Sequence, residues 1–183
     1  MAERSSALTH LSGSRSEGFA LTEARYGSIV QVQAWPGTLK TVEAVLISEL
    51  LDEDAPPIGS ALVRSETVVA SIAPGRFMLA GPGNLSARLE AALPASDGTL
   101  TDVSHGRVIL RLEGNASGRV LQSCVMIDLD PGTFPVGRVA QTAIHHIDVL
   151  IHRIDETAFE IWVLRSFAES LSEWLLDAGQ GVR

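Results

Sequence analysis

The feature that most constrains this chain is that its apolar segments and turns run through the same order twice. In the first half, Ser28 to Trp35 alternates as a strand, with Val30, Val32 and Ala34 on one face and Gln31 and Gln33 on the other. Trp35-Pro36-Gly37 turns the chain into a helix starting at Thr38, with Leu39, Val42, Leu46 and Leu50 on one stripe. Pro56-Pro57 forbids continuation of that helix, because proline lacks the donor and clashes with the preceding turn. Short β-branched runs follow at Ser60–Arg64, Thr67–Ile72 and Arg76–Ala80, the last two joined by Pro74-Gly75. Asn84 then caps a helix carrying Leu85, Leu89 and Leu93.

The second half has the same plan. Arg107 to Glu113 alternates, with Val108, Leu110 and Leu112 on one face, and Gly114-Asn115 opens a short helix holding Val120 and Leu121. Pro135-Val136-Gly137 precedes Arg138–Thr142, Ile144 to Arg153 reads as one long strand, and Asp155-Glu156 turns it into Phe159–Leu164. Ser166 and Glu169 form an S-x-x-E capping box for a last helix whose stripe is Phe167, Leu171, Trp174, Leu175 and Ala178. Val30 falls on Val108, Pro57-Ile58-Gly59 on Pro135-Val136-Gly137, Phe77 on Phe159, Asn84 on Ser166 and Leu89 on Leu171. One βαβββα unit alone would leave a sheet face bare. The pattern therefore predicts an α+β fold of two pseudo-repeated βαβββα units packed as one body. Residues 1–18, rich in Ser and Gly, read as a flexible N-terminal arm, with lobes over residues 19–96 and 97–183.

Composition narrows the partners. Hydrophobic residues make up 45% of 183, and the mean hydropathy is +0.20, an apolar excess that an obligate partner would cover. The net charge is -8, and the thirteen Arg and one Lys are scattered, which argues against nucleic acid and anionic membranes. The first eighteen residues lack an apolar signal core, and no apolar run reaches the ~20 residues of a membrane span, so the expected location is cytoplasmic.

Motifs for chemistry are missing. Gly81-Pro82-Gly83 reads as a tight loop before a helix, since Pro82 removes a donor that a phosphate would need. No serine stands in a G-x-S-x-G elbow, and the lone Cys124 reads as a small core residue. A continuous strand from Ile144 to Arg153 puts Ile147, Val149 and Ile151 on one face, and His146, Asp148, Leu150 and His152 on the other. His146 and Asp148 would lie ~7 Å apart and His152 ~20 Å from His146, too far for one metal. The reading is a half-polar face suited to an interface, with no catalytic residue and no metal site. Trp35 at its turn and Trp162, opposite Ile161 in mid-strand, join His146 as interface candidates.

Two sets of residues carry a family resemblance. The first is Ser5-Ser6-Ala7-Leu8, Leu21-Thr22-Glu23 and Val30-Gln31-Val32-Gln33-Ala34-Trp35-Pro36-Gly37. The second runs from Leu100-Thr101-Asp102-Val103-Ser104-His105-Gly106-Arg107 through Phe134-Pro135-Val136-Gly137 and Thr142. It closes on Phe159 to Ala168, with Arg165-Ser166-Phe167-Ala168, and Trp174-Leu175. These resemble the sarcosine oxidase gamma subunit family across essentially the whole chain. That family is in turn similar to the folate-binding aminomethyltransferases, such as the glycine-cleavage T-protein.

The resemblance implies an aminomethyltransferase-like fold and a structural role in a heterotetramer with alpha, beta and delta subunits. Such a complex demethylates sarcosine to glycine, with tetrahydrofolate as one-carbon acceptor and oxygen as electron acceptor. FAD, covalent FMN and NAD belong to alpha and beta, zinc to delta, and no cofactor to gamma. Active aminomethyltransferases are longer, with three lobes around a folate channel. Their strand matching Ile144 to Arg153 usually carries a glycine pair and then two adjacent carboxylates. Here His145-His146 precede the single Asp148, which is the folate candidate. The alternative reading is a stand-alone folate-binding or aminomethyltransferase-like protein.

Overall fold

A computed structural model describes Leu8, residues 14–16 and residues 18–181. In chain order its elements are β1 (Ser14–Ser16), β2 (Phe19–Ala24), β3 (Ser28–Ala34), α1 (Leu39–Leu50), β4 (Ser60–Arg64), β5 (Thr67–Ala73), β6 (Arg76–Gly81), α2 (Leu85–Ala92), β7 (Gly98–Asp102), β8 (Arg107–Glu113), α3 (Ser117–Gln122), β9 (Val139–Ile144), β10 (Ile147–Asp155), β11 (Ala158–Leu164) and α4 (Ala168–Gly181). Contacts divide the chain into Tyr26–Ser104 and a second unit made of Met1–Arg25 with His105–Arg183.

In the Tyr26–Ser104 unit an antiparallel sheet runs β4-β5-β6-β3-β7. Val30, Val32 and Ala34 of β3 pack with Phe77 and Leu79 of β6, Val42 and Leu46 of α1, and Leu85 and Leu89 of α2. Helical spacing on both helices aims those side chains at one sheet face. Asn84 caps α2 as expected, its side chain accepting from the Ala87 amide at 3.1 Å.

In the other unit the sheet runs β1-β2-β8-β11-β10-β9, again antiparallel. Val108, Leu110 and Leu112 of β8 and Phe159, Ile161 and Val163 of β11 meet Val120 and Leu121 of α3 and Ala168, Leu171 and Leu175 of α4. The same turn leads into β4 and β9. Ser60 N–H donates to the Pro57 carbonyl at 3.0 Å, and Arg138 N–H to that of Pro135 at 3.0 Å. Gly59 and Gly137 stand at φ +80° and +84°, the left-handed position that a type II turn reserves for glycine.

Several expectations change. The strand expected over Ile144 to Arg153 is interrupted: Ile144 pairs with Ile147, so His145-His146 is the tip of the β9–β10 hairpin. His146 therefore does not share a strand face with Asp148. β2 pairs with β8 and β7 with β3, so the contact units differ at their ends from lobes 19–96 and 97–183. The arm expected over residues 1–18 lies mostly outside the described residues, but Leu8 is buried and Ser14–Ser16 pairs with β2. Ser166 sits within a 3-10 turn, Arg165–Phe167, leading into α4. The buried stripe of α4 is Ala168, Leu171, Ser172, Leu175 and Gly179. Trp174 stands one position before Leu175, rotated about 100° from it, Phe167 ends the 3-10 turn, and both are exposed.

β11 is also buried on its second face from Ala158 to Trp162, and there Ile109 of β8, Leu150 of β10 and Trp162 are buried opposite one another. One register row of that face is polar, running His152, Glu160, Arg111, Thr22 across four strands. Arg111 donates to the fully buried Glu160 carboxylate at 2.7 Å. Nδ1 of His152 and the indole N–H of Trp162 are buried with no hydrogen-bond partner among the described residues. Burial lowers the pKa of His152 to about 4, so its ring is neutral near pH 7.

A Cβ at Gly179 would lie 2.2 Å from the buried Phe19 ring. Helix propensity alone favours Gly179→Ala by about 1 kcal/mol, yet here the overpacking is expected to destabilise by about 1–3 kcal/mol, with Phe19→Leu restoring part in the double variant. Urea unfolding of the single and double variants checks the sign. For His152, the unfolded chain takes up a proton near pH 6.5, and the folded chain only near 4. Stability is complete above pH ~6.5 and is lost as pH falls toward ~4, by about 2–3 kcal/mol from this group. Melting temperatures from pH ~7 to ~4.5 are expected to fall less steeply for His152→Leu than for the parent chain.

Candidate functional site

Trp35 leaves β3 at the turn into α1. Its indole N–H donates to the Ala95 carbonyl at 2.9 Å, its backbone N–H to Asp97 O at 3.0 Å, and the Thr38 hydroxyl donates to Trp35 O at 2.9 Å. Thr38 thus braces the turn, and its side chain does not cap α1. These bonds fix the ring while 42% of the residue remains exposed. Together with Pro36, Leu39 and Pro74 it lines a groove of about 500 Å³. Arg76 stands in the same groove, its Nε donating to Gln33 Oε1 at 2.8 Å, while Gln33 Nε2 donates to Gly75 O at 3.2 Å. The ring is thus held by its polar edge, beside an apolar groove and one cation, Arg76.

The β9–β10 tip carries the second exposed group. The His145 and His146 rings meet edge to face with centroids 4.7 Å apart, and their Nδ1 atoms are separated by 2.9 Å. On its other side His145 meets Trp174 of α4 at 4.4 Å, also edge to face. Trp174 is 47% exposed. The sequence placed Trp174 in the core, and only knowledge of the hairpin tip could have joined it to His145.

The remaining candidates separate. Trp162 is fully buried at the centre of its sheet, between β10 and β8, and cannot be an exposed anchor within this chain. Asp148 is exposed beside the hairpin tip, whereas a carboxylate that reads a pterin works inside an enclosing, largely apolar cleft. Cys124 is half-buried against the core, and burial pushes its thiol pKa up, away from the reactive thiolate. Sequence reasoning missed Arg153. Its buried guanidinium donates to the carbonyls of Leu129, Phe134 and Glu156 and lies 5.2 Å from the Phe159 ring centroid, pinning the loop between α3 and β9. Among the described residues no group of three or more His, Cys, Asp or Glu could hold a metal, and no helix is long and apolar enough to cross a membrane.

Known proteins match this arrangement. Residues 58–183 match the GCVT N-terminal domain family. A protein named sarcosine oxidase subunit gamma, from Corynebacterium sp. strain U-96, is 37% identical over 116 residues. That match covers 62% of this chain and 57% of the relative, so the chain spans little more than half of the curated relative. A chain of the heterotetrameric sarcosine oxidase from Corynebacterium sp. U-96, solved in complex with pyrrole 2-carboxylate, superposes with a TM-score of 0.85 at 29% identity. The superposition covers 98% of this chain and 96% of that one. The glycine cleavage system aminomethyltransferase T from Bartonella henselae shares the fold at a TM-score of 0.63 and 20% identity, over 87% of this chain and 45% of that one. With the family match extending over more than half of its residues, the chain belongs to the GCVT N-terminal domain family.

Proposed function

We propose that this chain is the gamma subunit of a heterotetrameric sarcosine oxidase, an assembly chain that docks onto alpha, beta and delta subunits and leaves the chemistry to them. The observation that carries this reading is the near-complete overlap, 98% and 96% of the two chains, with a chain of the Corynebacterium complex. In this reading the complex works in the cytoplasm and converts sarcosine to glycine. Tetrahydrofolate takes the methylene unit and oxygen the electrons. FAD, FMN and NAD sit in alpha and beta, and zinc in delta.

The same reading takes the two units as copies of one βαβββα plan. The order β4-β5-β6-β3-β7 corresponds strand for strand to β9-β10-β11-β8-β2, to which β1 adds a sixth strand at the edge, and the Pro57 and Pro135 turns carry equivalent hydrogen bonds. Docking falls to Trp35 and its groove, where a preset ring meets the partner with little loss of side-chain freedom.

Co-expression with candidate alpha, beta and delta chains, with a tag on this chain, tests the proposal. The tag is expected to retain all three, together with sarcosine-dependent peroxide formation. Trp35→Ala is expected to weaken retention by at least about tenfold, as removal of an interface anchor does. Retention of none of the three by the unaltered chain contradicts the proposal.

A further inference from the structure

We propose that His145 and His146 form a two-ligand site for a divalent transition metal of tetragonal preference, the Cu(II) or Ni(II) class. The separation of the donors is the first argument. Two nitrogens at ~2.0 Å from a metal lie about 2.8–2.9 Å apart when cis at 90°, and about 3.3 Å apart at the tetrahedral angle. The observed Nδ1–Nδ1 distance of 2.9 Å fits the first. Both residues are exposed at a hairpin tip, so a metal can reach them. The same distance suits an N–H···N bond between neutral rings, and a bound metal would take the place of that shared proton.

The backbone is the second argument. His145 adopts φ +57° as the first residue of a two-residue hairpin turn, a position where glycine is favoured. An L-residue there carries a conformational cost that glycine does not. Strain of this kind, held by a side chain with ligand chemistry, marks a place to look for function. The third argument is Trp174, whose edge contact with His145 at 4.4 Å limits the orientations of that imidazole. Among the described residues no third protein ligand completes a set, so water fills the remaining positions and the metal exchanges readily.

The experiment titrates copper(II) chloride into the whole chain, followed by electron paramagnetic resonance and by tryptophan emission. One equivalent is expected to bind with a micromolar Kd, show nitrogen coupling in its spectrum and quench the part of the emission that Trp174→Phe removes. His146→Ala and His145→Gly are each expected to weaken binding at least tenfold. His145→Gly relieves the turn, so its melting temperature is expected to match or exceed the parent's, and its loss of copper is then not loss of fold. Trp174→Phe is expected to keep the copper spectrum and lose the quenching. Copper affinity within threefold of the parent in either histidine variant overturns the proposal, as does tighter binding of zinc(II) than of copper(II).

Discussion

The structure depends on one constraint: β6 and β11, central strands of the two sheets, have almost no solvent face. From Ala158 to Val163 every residue of β11 is at most 9% exposed, and β6 is equally closed from Phe77 to Gly81. An antiparallel sheet commonly keeps one face wet and spends alternate residues on it. Here that option is gone, so these strands read Phe-Glu-Ile-Trp-Val and Phe-Met-Leu-Ala, apolar on both sides except at Glu160. A polar side chain placed there must be paired or uncharged. Glu160 is paired with Arg111, and His152 is held neutral by burial.

With those strands closed, the exposed aromatic residues Trp35, Phe167 and Trp174 stand at turns and helix flanks. Trp35 leaves the sheet where β3 ends, and its indole N–H is already satisfied by Ala95, so the exposed ring face is preset. The His145–His146 tip lies where β9 reverses into β10. Trp174 reaches that tip because it stands beside the buried stripe of α4. The stripe itself is committed to the core, and the close approach of Gly179 to Phe19 of β2 seats the helix.

Much of the fold was legible because local chemistry and packing agree. Asn84 is both the residue that propensity favours as a cap and the one that caps α2. Pro74-Gly75 falls between β5 and β6, with Gly75 at φ +66°. The failures have physical causes. β7, Gly-Thr-Leu-Thr-Asp, is a short edge strand whose pairing with β3 stabilises it, and its own sequence announces little. The break between β9 and β10 was expected before Ile144, two residues early, because His145-His146 contains no Gly, Pro, Asn or Asp to mark the reversal. Trp162 looked like an anchor because alternation assigns it to the face opposite the core, and alternation cannot tell that the second face is buried too. The candidate site was half visible: the exposure of Trp35 follows from its place at a turn, whereas the contact between Trp174 and His145 is tertiary and has no local signature.

The central claim is that the chain works as one member of a four-chain assembly. Native mass spectrometry of the material purified through this chain tests it most directly. The account predicts one copy, contributing 19.5 kDa, bound to three different partner chains, with no species of this chain alone at comparable abundance. A dominant 19.5 kDa species, or a homo-oligomer formed in the presence of the other three chains, would contradict it.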